Sequence, residues 1–397
     1  MCEVIYENNT ESSIVMSTSR IEISQSALAN NLDFVRKTIG AECELVAVIK
    51  GNAYGHGIEV FSSLLVRLSV SSFAVFSVSE AKRVNRAKTK LDRLIIMGAI
   101  SKEELPWAIL NNVEVFVFNW ERLLDITSSA KDLGVVAKIH IELETGLNRT
   151  GFLDQDLEKL IVFIKGNVQF LKICGTCTHL AGAEDISNFD RIKQQIDQFN
   201  QKLANLNEQK VSYGKSHIAC SAAVINYPKT ILDMVRVGIL LYGLWPSKEV
   251  KMAYLMRSKS RIDPLKRVIS WKSYIMELKQ VTEGEYVGYG TSFLAEATMT
   301  LAIVPVGYAN GFTRTLSNKG KVLIRNTRVR IIGVINMNLI AVDVTNISGV
   351  SINDEVVLIG QQGEYEISLA SFGDLSNQLN YELLTRLPID IPREITG

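Results

Sequence analysis

The sequence predicts an α/β protein in two parts, a (β/α) barrel followed by a mostly antiparallel β domain. Three observations carry this. Up to about residue 245, short apolar strand-like runs alternate with amphipathic helical stretches. Continuous apolar strands of that kind suit a parallel sheet buried on both faces, and sustained repetition favours closure into a barrel. After WPSKEVK, helical patterns become scarce and strand-like runs are joined by short polar turns. The expected divisions are a polar, frayed stretch at 1–17, a barrel at 18–255 and a β domain at 256–397.

Each element has its own signal. Barrel strands are expected in ELVAVIK, FAVFSV, LIIMG, VEVFVF, VVAKIHIEL and FLKICGTCTHL. NNLDFVRKTIG places Leu32, Val35 and Ile39 near a helical period. DRIKQQIDQFNQKLANL does the same with Ile192, Ile196, Phe199 and Leu203. The β domain is expected in VISWKSYIMELKQV, ATMTLAIVPVGY, KVLIRNTRVRIIGVI, LIAVDVT and DEVVLIG.

Composition narrows the function classes. A chain of 397 residues, 47% hydrophobic and 21% charged, can bury a large core. A net charge of +1 gives no footing for nucleic acid or a membrane surface, so a small-molecule ligand or a protein partner is expected. The first residues do not read as a secretory signal, and no apolar run reaches spanning length, so a cytoplasmic location is expected. The five cysteines are an odd number and suggest no disulfide framework. Cys174 and Cys177 have CxxC spacing, but inside a strand-like run, and read as packing residues. The four histidines form no HExxH or close His/Cys set, so no metal is expected.

The chemistry-bearing residues sit at strand ends. Lys50 closes ELVAVIK and precedes the glycine-rich GNAYGHG. A lysine there can join a carbonyl cofactor, glycines allow close approach, and the Tyr54 hydroxyl can meet a phosphate. The plainer reading is a surface lysine before a tight loop. In IHIELETGLNRTG, alternation puts Glu142 and Glu144 on one face, with Arg149 as a partner able to grip a substrate carboxylate. The plainer reading is a strand running into a solvated loop. His179 can face a cofactor or be an ordinary strand-end histidine. Ser221, Gly238 and Ile239 can bind phosphate or simply start a helix and end a strand. Arg236, in the apolar run MVRVGILLYG, needs an acceptor from protein or ligand. Tyr289 in VGYG, and Tyr308 and Arg314 in VPVGYANGFTR, read locally as turn or packing residues.

Taken in order, AVIKGNAYGHG, LETGLNRTG, MVRVGILLYG, VGYG, VPVGYANGFTR, DEVVLIG and NYE resemble the alanine racemase family from about Arg20 to Arg393. The resemblance implies a (β/α)8 barrel, a C-terminal β domain, pyridoxal 5'-phosphate and a homodimer with shared active sites. It implies racemisation of alanine for D-alanine and cell-wall (peptidoglycan) synthesis. Lys50 would hold the cofactor and act as one base, with Tyr289 from the other subunit as the second. Arg236 would face the pyridine nitrogen and His179 the ring. Tyr54, Ser221, Gly238, Ile239 and Tyr381 would bind the phosphate. Arg149 and Met337 would lie at the substrate carboxylate, and Tyr308 at the entry.

Racemisation removes the Cα proton from one face and returns it on the other, which two opposed bases do without turning the substrate. An arginine at the pyridine nitrogen donates but does not accept, so that nitrogen should stay unprotonated. The sequence departs from the family at several points. Glu142 stands where a carbamylated lysine is common and is expected to orient Arg149 directly. Cys220 replaces an asparagine, and Asn310, Asn336 and Asn338 alter the entrance. A serine or broad-specificity racemase is the nearest alternative. A related barrel decarboxylase or a non-catalytic cofactor-binding protein fits the motifs less well.

Overall fold

The computed structural model describes residues 17–86, 91–369, 371–372 and 380–397. Most of the stretch expected to fray, with Cys2, lies outside them. The chain divides into two compact units. One comprises residues 22–270, 378–389 and 393–397; the other comprises residues up to 21, 271–377 and 390–392. Tyr381, although near the C-terminus, therefore belongs to the first unit.

A short strand, β1 (Arg20–Ser24), leads into the helix Gln25–Ile39. Ser24 caps that helix by accepting from Ala27 N at 3.2 Å, and Leu32, Val35 and Ile39 are buried as their spacing predicts. Eight parallel strands follow: β2 (Glu44–Val48), β3 (Ser72–Val75), β4 (Arg93–Ile96), β5 (Glu114–Val117), β6 (Ala137–Glu142), β7 (Leu171–Cys177), β8 (Lys215–His217) and β9 (Met234–Val237). Their order is β8-β7-β6-β5-β4-β3-β2-β9. Just past β8, Arg236 N donates to Ala219 O at 3.0 Å and ties the two ends of the sheet. The result is a nearly closed barrel.

Strand alternation builds its interior. Val46, Val48, Ala74, Ile95, Phe116, Cys177 and Met234 form one buried cluster. Position by position along the same strands stand Glu44, Arg93, Glu114, His140, Glu142 and Arg236. The helix Phe189–Glu208 buries Ile192, Gln195, Phe199, Lys202 and Leu206. Ile196 and Leu203, expected in that stripe, lie only half-buried at its edge. Strand β8 had no sequence signal of its own, being short and polar. Strand β7 carries a bulge: Ile139 pairs with Ile173 but His140 with Gly175, leaving Cys174 as the extra residue.

The second unit is an antiparallel sheet. From Trp271 on it contains β10 (Ile269–Tyr274), then β11 (Glu277–Val281), β12 (Met299–Val304), β13 (Lys321–Ile324), β14 (Thr327–Ile332), β15 (Ile340–Asp343), β16 (Glu355–Gln362) and β17 (Tyr365–Ile367). The order is β11-β12-β15-β14-β13-β16-β10, with β17 beside β16. Alternating burial along β10 and β15 leaves one face apolar, over Trp271 and Phe312. No helix of the described residues is long and apolar enough to cross a membrane.

Candidate active site

Lys50 follows β2 at the C-terminal end of the barrel strands, where barrel scaffolds carry chemistry. The next residues make an unusual turn. Gly51, Asn52, Ala53 and Tyr54 all have positive φ, at 63°, 55°, 53° and 50°. Side chains in left-handed backbone cost about 1–2 kcal/mol each, so something must hold them there. Glu80 does part of this. One of its oxygens accepts from Gly51 N at 2.7 Å and Asn52 N at 3.2 Å; the other accepts from Phe76 N at 2.9 Å. Asn52 Oδ1 accepts from Ile58 N at 3.1 Å and Arg83 at 2.7 Å. At Gly55 an added Cβ would stand 1.9 Å from Leu384 O, so the helix Asn380–Thr385 seats directly on this turn. That contact brings the Tyr381 ring to 6.4 Å from Tyr54.

The phosphate candidates gather at neighbouring strand ends. A Cβ on Gly238 would lie 2.8 Å from the Tyr54 hydroxyl, so only glycine leaves that space open. Gly238 N donates to Ser221 Oγ at 3.1 Å, and Ile239 begins the turn that follows. Burial holds the Tyr54 hydroxyl well above its ordinary range and keeps it a proton donor. Cys220 precedes Ser221 as a free, half-buried thiol.

Arg236 is buried, with its guanidinium donating to the backbone oxygens of His217 at 2.8 Å and Thr178 at 2.9 Å, and to His217 Nδ1. Lys50 is held below its usual value by loss of hydration, then by the positive charges of Arg149 and Arg236, against the pull of Glu80. His179 is pushed down to about 3 by burial and by Arg236, Arg149 and Lys50, so its imidazole is neutral. Gln195 braces it from behind, donating to His179 O at 3.0 Å and accepting from Ala181 N at 2.8 Å.

Glu142 ends β6, buried. Its partner is the Thr150 hydroxyl at 3.0 Å, and no ion pair joins it to the exposed Arg149 among the described residues. The direct pairing expected from the sequence is therefore not formed in this chain. Burial raises the Glu142 carboxyl above its usual value, against Thr150, Arg236 and Arg149, so Arg149 acts on it through space. Glu144 instead closes the loop, accepting from Gly146 N and Arg149 N.

The remaining candidates stand in the second unit. Tyr289 is 73% exposed and sits between Gly288 and Gly290, both at positive φ. Tyr308 and Met337 are also exposed and share one loop system: Tyr308 N donates to Asn336 O at 3.1 Å and Ala309 N to Met337 O at 2.9 Å. Asn310 Oδ1 accepts from Gly307 N at 3.0 Å, a role that needs no charge. Arg314 is exposed and Asn338 lies beside Met337, also exposed. No group of metal-ligating side chains occurs among the described residues.

Glu80, Asn52, Thr150 and Gln195 escaped the sequence reading. An acid two residues after FAVFSV was the only hint of Glu80.

Comparison with known proteins bears on the fold and the family. The family model for the alanine racemase N-terminal domain matches residues 23–246, and that for the alanine racemase C-terminal domain matches residues 268–395. An alanine racemase of Leptospira interrogans is 34% identical over 97% of this chain and 98% of its own. The structure of an alanine racemase from Clostridium difficile 630 superposes with a TM-score of 0.87 at 28% identity, covering 96% of each chain. One from Bartonella henselae, described with covalently bound pyridoxal phosphate, gives 0.82 at 25% identity over 96% of this chain and all of its own. The barrel and the β unit that follows it thus match one group of enzymes over nearly the whole chain, and this chain belongs to the alanine racemase family.

Proposed function

We propose that the chain interconverts L- and D-alanine with pyridoxal 5'-phosphate on Lys50, using Lys50 and Tyr289 of the partner subunit as the two bases. The observation that carries this reading is the Lys50 amine at the barrel mouth. It is held below its usual value in the same unit as the donors of Arg236 and the open space at Gly238. Those features fit the cofactor. Tyr54, Ser221, Gly238, Ile239 and Tyr381 would hold its phosphate, Arg236 would donate to its ring nitrogen, and neutral His179 would lie along the ring. When bound, the cofactor supplies an electron-withdrawing ring that accepts the charge left at Cα.

The chain's own residues do the rest. Lys50, easily made neutral, takes or returns the Cα proton on one face. Tyr289 does so on the other; its exposure in the single chain suits a group completed by a homodimer. Arg149 grips the substrate carboxylate, and the nearby Glu142 keeps the site from becoming too positive. Met337 adds to the carboxylate pocket and Tyr308 lines the entry. In a cell the product would be D-alanine for peptidoglycan, made in the cytoplasm.

A chiral assay with each L-amino acid tests this. Alanine should give the highest catalytic efficiency. Faster turnover of serine, lysine or arginine would overturn the substrate, and carbon dioxide without the enantiomer would overturn the reaction. Borohydride reduction should fix the cofactor to the AVIKGNAYGHG peptide; label on another lysine would remove Lys50 from its role.

A further inference from the structure

We propose that Glu114, His140 and His217 form a one-directional hydrogen-bond relay through the barrel that sets the orientation and donor character of Arg236. On that account Glu114 and His140 are positioning residues for the reaction. The relay crosses four strands. His217 Nδ1 meets Arg236 Nη1, His217 Nε2 lies 2.8 Å from His140 Nδ1, and His140 Nε2 lies 2.6 Å from Glu114 Oε2. Both imidazoles are fully buried, and Glu114 and Arg236 nearly so.

The proton order follows from one fixed end. A guanidinium has donors and no acceptor, so His217 Nδ1 must accept. Neutral His217 then carries its proton on Nε2 and donates to His140 Nδ1. His140 in turn carries its proton on Nε2 and donates to the Glu114 carboxylate. Reversing either imidazole would set two donors face to face. Burial, together with the charges of Arg236 and Arg93, keeps both imidazoles below their usual values.

The backbone is shaped for this chain of contacts. A Cβ on Gly175 would lie 2.5 Å from His140 Nδ1, so the imidazole occupies space that any side chain there would take. The bulge at Cys174 sets Gly175 opposite His140. The Phe116 ring walls the relay, 5.5 Å from His140 and 5.9 Å from His217. At the far end Arg93 pairs with Glu114 and, at 3.0 Å, with Glu44, which also takes Lys215 at 2.7 Å. Burial pushes Glu114 up, but His140 and Arg93 outweigh it and leave the carboxylate ionised.

Successive donation makes each acceptor stronger, so the Glu114 charge is felt at His217 Nδ1. Arg236 is thereby locked in one plane and made a weaker donor on its free edge. At a ring nitrogen such a group holds a hydrogen bond without giving up a proton. This last consequence rests on the proposed function; the proton order does not.

The test is 15N NMR of the full chain labelled at its four histidines, first free of cofactor. His140 and His217 should both be neutral with the proton on Nε2 across neutral pH. An Nδ1–H form or an imidazolium at either would overturn the relay. In Glu114→Gln, the hydrogen-bonded N–H protons of both histidines should move upfield together; movement of His140 alone would overturn transmission. If that variant does not fold, Glu114→Asp, which keeps the charge at shorter reach, is read in the same way. In the loaded enzyme, Glu114→Gln should lower kcat roughly tenfold or more with KM for alanine unchanged, and should alter the pH profile of cofactor absorption. A changed KM with constant kcat would contradict a positioning role. Absence of cofactor binding in the wild type would contradict the proposed function and leave the proton-order result standing.

Discussion

The two units handle polarity in opposite ways. The barrel unit buries Glu114, His140, Glu142, His217 and Arg236, and holds all four histidines of the chain. The sheet unit buries only Ser19 and Ser273 as polar residues among those described, and leaves Tyr289, Tyr308 and Met337 in solvent. Buried charges are tolerated only when paired, and pairing fixes geometry. The barrel unit is thus a preorganised polar frame whose stability and chemistry are linked. The sheet unit is an apolar support whose loops carry exposed candidates that the fold does not need.

The largest effects should fall on activity and differ in kind between the units. Lys50→Ala should abolish racemisation together with covalent attachment of the cofactor. Tyr289→Phe should lower kcat about 10²–10⁴-fold while the cofactor absorption band and the unfolding midpoint stay as in the wild type. Loss of the band in Tyr289→Phe would show that the sheet unit shapes cofactor binding, and would blur the contrast.

Next in size is backbone fit. Gly55→Ala puts a methyl 1.9 Å from Leu384 O at a φ of 81°, and should destabilise the barrel by about 4 kcal/mol through overpacking and left-handed strain. Gly284→Ala in the sheet unit meets nothing within 4 Å and should cost only about 1 kcal/mol for its positive φ. Urea unfolding measures both, and equal losses would break the comparison.

Acid should separate the units as well. Burial depresses His56 to about 4, from an ordinary value of 6.5. Its stabilisation is full above the unfolded value and is lost as pH falls through the folded one. Between pH 6.5 and about 4 this residue alone should remove about 3 kcal/mol. His179, at about 3, extends the window downward. Hydrogen exchange followed by peptide should accelerate in the barrel unit first, since the sheet unit has no histidine. Simultaneous loss of protection would refute that linkage.

The smallest effect is expected at Glu142. With Thr150 as its partner, Glu142→Gln keeps an acceptor and removes only a charge felt by Arg149 through space. KM for alanine should rise by roughly fivefold, about 1 kcal/mol, with cofactor attachment intact and no response to bicarbonate. An unchanged KM would remove Glu142 from substrate binding.

What the sequence revealed follows the same division between local and distant. Lys50 was legible because a strand end and three glycines stand within a few residues of it. Arg236 was legible because a cation interrupts an apolar run. The Glu114–His140–His217 relay was not, because its members lie 26 and 77 residues apart and meet only through strand order and alternation. Glu80 was hidden for the same reason, 29 residues from the Gly51 amide it holds. Strand β8 is three residues long and too polar to register, and the helix Phe189–Glu208 conceals Gln195 and Lys202 within its buried stripe. The alternation of barrel strands and helices followed from repetition; the strand order, and the side chains that join across it, required the closed structure.

The central claim is that a working site takes its barrel from one copy of the chain and Tyr289 from the partner subunit. Mixing Lys50→Ala and Tyr289→Phe chains, each inactive, tests it most directly. Random exchange makes half of the dimers mixed, each with one intact site, so racemisation should return to about a quarter of the wild-type rate. No recovered activity, after exchange of subunits has been verified by mass, would contradict the shared site.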